Sequence, residues 1–75
     1  MIKELDEVAL TVDLPDYHLK AGDIGTVVDI TSDGQQVTLE FFTFDGHTLA
    51  IVPVPHSAVR PIMGSREITS ARVIG

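Results

Sequence analysis

The chain reads as an all-β domain of five short strands, and three features of the sequence say so. Apolar and polar residues alternate at a period of two, β-branched residues crowd the apolar stretches, and Asp-Gly pairs at Asp33–Gly34 and Asp45–Gly46 interrupt them. Glu7 to Val12 sets Val8, Leu10 and Val12 against Glu7, Ala9 and Thr11, the pattern of a half-buried first strand. Asp13 to Asp23 contains Pro15 and Gly22 and reads as a long loop, with Leu14 and Leu19 folding back onto the core. Gly25 to Thr31, GTVVDIT, is the second strand and Gln36 to Phe44 the third. Thr48 to Val54 is the fourth, ended by Pro53 and Pro55. Both Asp-Gly pairs suit two-residue type I′ hairpins, whose central positions need positive φ.

Two-residue turns fix the register, because counting outwards from each sets every partner. The first turn pairs Ile30 with Val37, Val28 with Leu39 and Thr26 with Phe41. The second sets Val37, Leu39 and Phe41 opposite Val54, Val52 and Ala50. Both counts make the same side of the third strand apolar, as a meander with one core face requires. His56 to Ala58 reads as a single 3₁₀ turn before a last strand, Val59 to Ile62, which Pro61 confines to an edge.

Five short strands, a long first loop, two tight hairpins and a turn before the last strand make a small SH3-like barrel over residues 1–62. Met63 to Gly75 follows as a C-terminal tail. The stretch DLPDYHLKAGDIGTVVDI, Asp13 to Ile30, with FDGHTLAIVPV and the closing Val59, Arg60 and Pro61, resembles a family of small uncharacterised bacterial proteins common in cyanobacteria. The resemblance runs from about residue 3 to Pro61, and the tail extends past it. It implies an SH3-like barrel. Members are often encoded beside small toxin-like genes, so it also implies an antitoxin- or immunity-like partner role, without a residue-level mechanism.

Composition bounds the rest. Seventy-five residues allow one core, and 44% hydrophobic with 21% charged residues is a globular balance. With no cysteine there is no disulfide framework and no thiolate zinc site, as expected of a cytoplasmic protein. Met1 to Glu7 lacks the basic start and apolar run of a signal peptide, and no stretch approaches the ~20 apolar residues of a membrane span. The net charge of −6 repels phosphate backbones, so nucleic acid is a poor partner. Charge is also uneven: Met1 to Gly46 holds two lysines against ten acids, while His47 to Gly75 holds three arginines against Glu67 alone.

Catalytic and metal chemistry find little footing. His18, His47 and His56 are not at ligand spacing, Ser57 beside His56 lacks an orienting acid, and GDIGTVV has neither the lysine nor the helix of a phosphate loop. No catalytic residue, metal site or cofactor is assigned. A single tyrosine, Tyr17, and no tryptophan leave no aromatic groove for proline-rich peptides, and Tyr17 and His18 read as a solvated loop tip.

The anomaly lies on the outer face. The register sets Phe42 opposite Leu49 and Phe44 opposite His47, with Ile51 and Pro53 further along and Val27 beside Glu40, where polar residues belong. Phe42, Phe44, Leu49, Ile51 and Pro53 are therefore the candidate partner-binding residues. Three other accounts compete: a bulge that turns Phe42 or Phe44 inward, Phe42 covering Gly25 across the ladder, or the tail lying over the patch through Ile62, Met63, Ile68 and Val73. The expectation is a non-enzymatic module binding another protein, such as a toxin-like one. A homo-oligomer is the alternative and a nucleic-acid-binding barrel the second.

Overall fold

Alternation selects which side chains leave water, and a computed structural model, describing residues 2–43 and 45–62, shows the result. Five antiparallel strands, β1 (Glu7–Leu10), β2 (Ile24–Ile30), β3 (Gln36–Phe42), β4 (Thr48–Pro55) and β5 (Val59–Pro61), form one sheet in the order β4-β3-β2-β1-β5. Single 3₁₀ turns occupy Pro15–Tyr17 and His56–Ala58, the second where the sequence places it. Among the described residues no ladder joins β4 to β5, so the pairings define a five-stranded all-β sheet whose ends are those two strands. The expected tail, 63–75, lies outside the described residues.

Val37, Leu39 and Phe41 point inward from β3, as alternation requires, and pack with Val52 and Val54 of β4, Val27 of β2, and Val8 and Leu10 of β1. Full burial of such a side chain contributes about 1.5–3 kcal/mol, so a one-residue slip of β3 would sacrifice the whole inner row. The β3–β4 ladder accordingly keeps the expected pairs: Val37 with Val54, Leu39 with Val52, Phe41 with Ala50.

The β2–β3 ladder departs from expectation after Ile30↔Val37. A bulge between Val27 and Asp29 sets Val27, not Val28, opposite Leu39, and Thr26 opposite Glu40, not Phe41. Val27 is 0% exposed and Val28 38% exposed, which reverses the sequence assignment of Val27 to the outer layer. The extra residue lets β2 bend around the core, and because both positions are valine the sequence does not show which one turns in. The shift also brings Phe41 to Gly25. A Cβ on Gly25 would lie 2.9 Å from the Phe41 ring, so this glycine serves close packing inside a strand, whereas Gly22, at φ 94°, serves a turn.

Neither hairpin is the expected type I′ turn. Gly34 and Gly46 have positive φ, but Asp33 and Asp45 do not. Each loop instead repeats Thr-x-Asp-Gly: the Thr31 hydroxyl donates to Asp33 Oδ1 at 2.7 Å, and the Thr43 hydroxyl donates to Asp45 Oδ1. The glycine N–H then donates to the carbonyl of the same threonine, at 2.9 Å for Gly34 and 3.0 Å for Gly46. The first loop closes from Thr31 to Gln36 and preserves the expected register. The second closes one residue sooner, from Thr43 to His47, so Phe42 pairs with Thr48 and Leu49 drops out of the ladder.

The first strand is shorter than expected. Ala9 is buried beside Val8 and Leu10, Val12 is exposed, and the Thr11 N–H and hydroxyl donate to the carbonyls of Ala58 and Ser57 just past the end of the strand. The last strand likewise stops at Pro61, not Ile62.

The fourth strand is not ended by its prolines but runs through Pro53 to Pro55. The His56 N–H donates to the Gln35 carbonyl, so by alternation Val54 and Val52 also turn their N–H groups to β3, and positions 53 and 55 turn away from the sheet. A residue without an N–H costs no ladder bond there. Pro61 follows the same logic. Leu10 donates to Asp23, which fixes Val8 toward β2, and Pro61 sits opposite Val8 at a position whose nitrogen points outward.

The long loop is packed as expected. Leu14 and Leu19 exchange backbone hydrogen bonds at 2.8 and 3.1 Å, Leu19 is fully buried, and Leu14 rests against the core.

Candidate functional site

Alternation along β3 leaves Thr38, Glu40 and Phe42 on the side opposite the core, and the ladder sets Pro53, Ile51 and Thr48 across from them. Phe42 is 42%, Leu49 41% and Ile51 59% exposed, and Pro53 is exposed. The structure thus leaves four of the five expected residues open to solvent on two adjacent strands, although Leu49 reaches this position as the unpaired residue of the irregular hairpin and not as Phe42's partner. Phe44 lies outside the described residues. From β2 the exposed apolar residue is Val28, the residue at the bulge, while Thr26 and not Val27 lies opposite Glu40.

The same geometry decides two of the competing accounts as far as they concern Phe42. An irregularity does occur beside Phe42, but Phe42 stays exposed, and Gly25 is covered by Phe41 instead; the inward turn of Phe44 falls outside the described residues. The third account, cover by the tail, falls outside the described residues.

The face also carries a carboxylate between β2 and β4. Glu40 lies opposite Ile51 on one side and Thr26 on the other, and accepts the Thr48 hydroxyl at 2.7 Å on Oε2. A partner with apolar side chains flanking a cationic one would match this pattern.

Other polar groups serve the backbone. Asp13 Oδ1 accepts the Ala21 N–H and Asp23 Oδ2 the Lys20 N–H, both at 2.9 Å, and Asp6 Oδ2 accepts the Lys3 N–H at 3.0 Å. Asp23 is fully buried, which residue type alone did not reveal; the Lys-Ala-Gly-Asp spacing, an acceptor three residues after its donor, is the signal that could have found it. Asp33 is held below the ordinary carboxylate value by the Thr31 hydroxyl first and the Gln35 N–H second. An open cleft of about 300 Å³ lies among Asp13, Pro15, His18, Leu19 and Lys20, with Tyr17 and His18 exposed at the loop as expected. Among the described residues no three His, Asp or Glu side chains come together as a metal set, and no helix is long and apolar enough to cross a membrane.

Fold and surface together define a small antiparallel β domain with an acidic body and an exposed apolar face at one side of its sheet. Residues 4–61 match the family described as domain of unknown function DUF4926, and since that match spans most of the chain, the protein belongs to this family. Neither the curated proteins nor the solved structures provide a match to it.

Proposed function

We propose that the domain is a non-enzymatic protein-binding module that engages another protein through the outer face of β3 and β4. The observation that carries this reading is the exposure of Phe42, Leu49 and Ile51 side by side on a sheet whose other face already holds a complete core. Aromatic and aliphatic anchors of this kind supply most of the energy of protein interfaces, often more than about 2 kcal/mol for one central residue. The family's toxin-like gene neighbours, implied by the resemblance of Asp13 to Ile30 and the FDGHTLAIVPV segment, favour an antitoxin- or immunity-like role in the cytoplasm. The excess of acids suits a basic partner, whose approach it would accelerate. A homo-oligomer is the second reading, favoured by the position of Ile51 on the end strand of the sheet.

The test is the double variant F42S/I51S. Tagged wild-type protein should retain its partner on purification from the native cells, and the variant should lose it while keeping a native circular dichroism spectrum. Equal capture by both would refute the surface, and light scattering that finds wild-type dimers broken by the same variant would favour self-association.

A further inference from the structure

One bond sets the backbone direction along β4. The His56 N–H donates to the Gln35 carbonyl, so the closely bonded pairs of this ladder are Val54 with Val37 and Val52 with Leu39, while Ile51, Pro53 and Pro55 turn their backbone groups away from β3. Among the described residues no strand pairs with that side of β4. Proline removes two of the three N–H groups, which leaves one donor at Ile51 beside the carbonyls of Ile51 and Pro53. At the other end of the sheet the Val59 N–H is taken by the His56 carbonyl, and Pro61 has none. Of the two edges, only β4 offers a donor together with an exposed apolar face.

We propose that β4 takes up an extended segment of the partner as an added strand, with a lysine or arginine facing Ile51 and apolar residues to either side of it. This rests on the partner reading above and specifies how the partner is held. One residue of such a segment exchanges both backbone bonds with Ile51, and a further N–H of the segment reaches the Pro53 carbonyl. The side chain facing Ile51 stands on the open face, in the row that runs through Ile51, Glu40, Thr26 and Glu7. From there to Glu40 the backbones are about 10 Å apart, one close and one wide strand spacing, which a long basic side chain and a glutamate span together. The basic stem then lies over Ile51 and its head meets Glu40, whose carboxylate is already turned toward β4 by the Thr48 hydroxyl at 2.7 Å. Apolar residues of the segment cover Phe42 and Leu49.

Charge and proline together favour this occupant over a second copy. The chain carries a net charge of −6, and two of its carboxylates, Glu7 and Glu40, stand in the row that the segment joins. A second copy would bring the same surplus of acids. In a two-fold pairing about Ile51 it would also set each Pro53, which has no N–H, against a carbonyl of the other chain. A foreign segment without proline there has an N–H for each carbonyl.

The probe is the acetylated and amidated peptide KTVARAVTK, which presents the same side chains in either strand direction. Added to the isotope-labelled chain, it should shift the amide signals of Phe42, Leu49 and Ile51 selectively and slow solvent exchange at Ile51 about fivefold at four-fifths occupancy. E40Q should weaken the complex about two- to fivefold, as loss of an exposed ion pair does. KTVAEAVTK, and KTVARAVTK with the arginine nitrogen methylated so that it cannot donate to the Ile51 carbonyl, should each bind at least about tenfold more weakly. Absence of shifts at millimolar peptide, shifts centred on β5, or affinity unchanged by both peptide alterations and by E40Q would overturn the proposal. So would the same shifts on concentrating the chain without peptide, which would mark a second copy as the occupant. Should any of these results accompany partner capture that still depends on Phe42 and Ile51, strand addition fails and the partner surface stands; equal capture by F42S/I51S removes the surface itself.

Discussion

Gly25 shows how far one missing methyl group constrains this fold. Its neighbour is the Phe41 ring, fully buried and packed on every side, so Gly25→Ala puts a Cβ 2.9 Å from an atom with no room to retreat. Overpacking of this kind costs about 1–3 kcal/mol, and the variant should unfold at correspondingly lower denaturant. An unchanged midpoint would mean that the ring relocates freely. The sequence offered a phenylalanine to cover this glycine but pointed to Phe42, because the β2 bulge that moves the register by one has no signature in two adjacent valines. Asp33 makes a second residue-scale case. The Thr31 hydroxyl and the Gln35 N–H favour its charged form, so its folded pKa lies below 3.8. What this contributes to stability is present above the ordinary value and lost as pH falls through the lower folded one. Following the Asp33 side-chain carboxyl by NMR should show this low value and, in Thr31→Val, a rise toward the ordinary one. A titration unaffected by the substitution would remove the hydroxyl as the main cause.

The elements divide by how much of their geometry is local. The third and fourth strands were legible because alternation fixes a face and a core punishes any slip, and their inner pairs stand as read. Turns were legible in place but not in form: Asp-Gly marked both hairpins, yet the threonine two residues before each aspartate decides the loop, through a hydroxyl that bonds the carboxylate. Prolines misled in a useful way. Read as strand breakers, Pro53 and Pro55 lie within β4, since only the paired side of a strand needs its N–H groups. The long loop behaves as part of the core. Leu19→Ala should destabilise the domain by about 2–5 kcal/mol, while Tyr17→Ala at the exposed turn of the same loop should stay within about 0.5 kcal/mol. Chemical denaturation of the two variants decides it, and equal effects would show that the loop is only draped over the sheet.

For the whole molecule, the sheet packs one side into the core and leaves apolar residues exposed on the other. The buried side holds Val8, Leu10, Val27, Val37, Leu39, Phe41, Val52 and Val54, and the open side holds Phe42, Leu49 and Ile51. Because Phe42 and Ile51 are exposed and stand outside the core cluster, F42S/I51S should move the unfolding midpoint little, so that any loss of a partner in this variant can be read as an effect on the surface. This separation was legible in the sequence once the register was counted, since apolar residues outnumbered what one face can bury. What was not legible is which residue of the second hairpin escapes pairing, for that depends on where a three-residue loop closes.

The pairing of β1 with β5 has a further result. Because Val8 lies opposite Pro61, the place where the chain comes into the sheet adjoins the place where it goes out. Splicing such a unit into a surface loop of a host protein needs almost no widening of that loop, so the ordering cost of closing it stays small. The same proximity suits it to tandem arrays, in which each copy hangs from a continuous backbone like a pendant and leaves the spacing of its neighbours nearly unaltered.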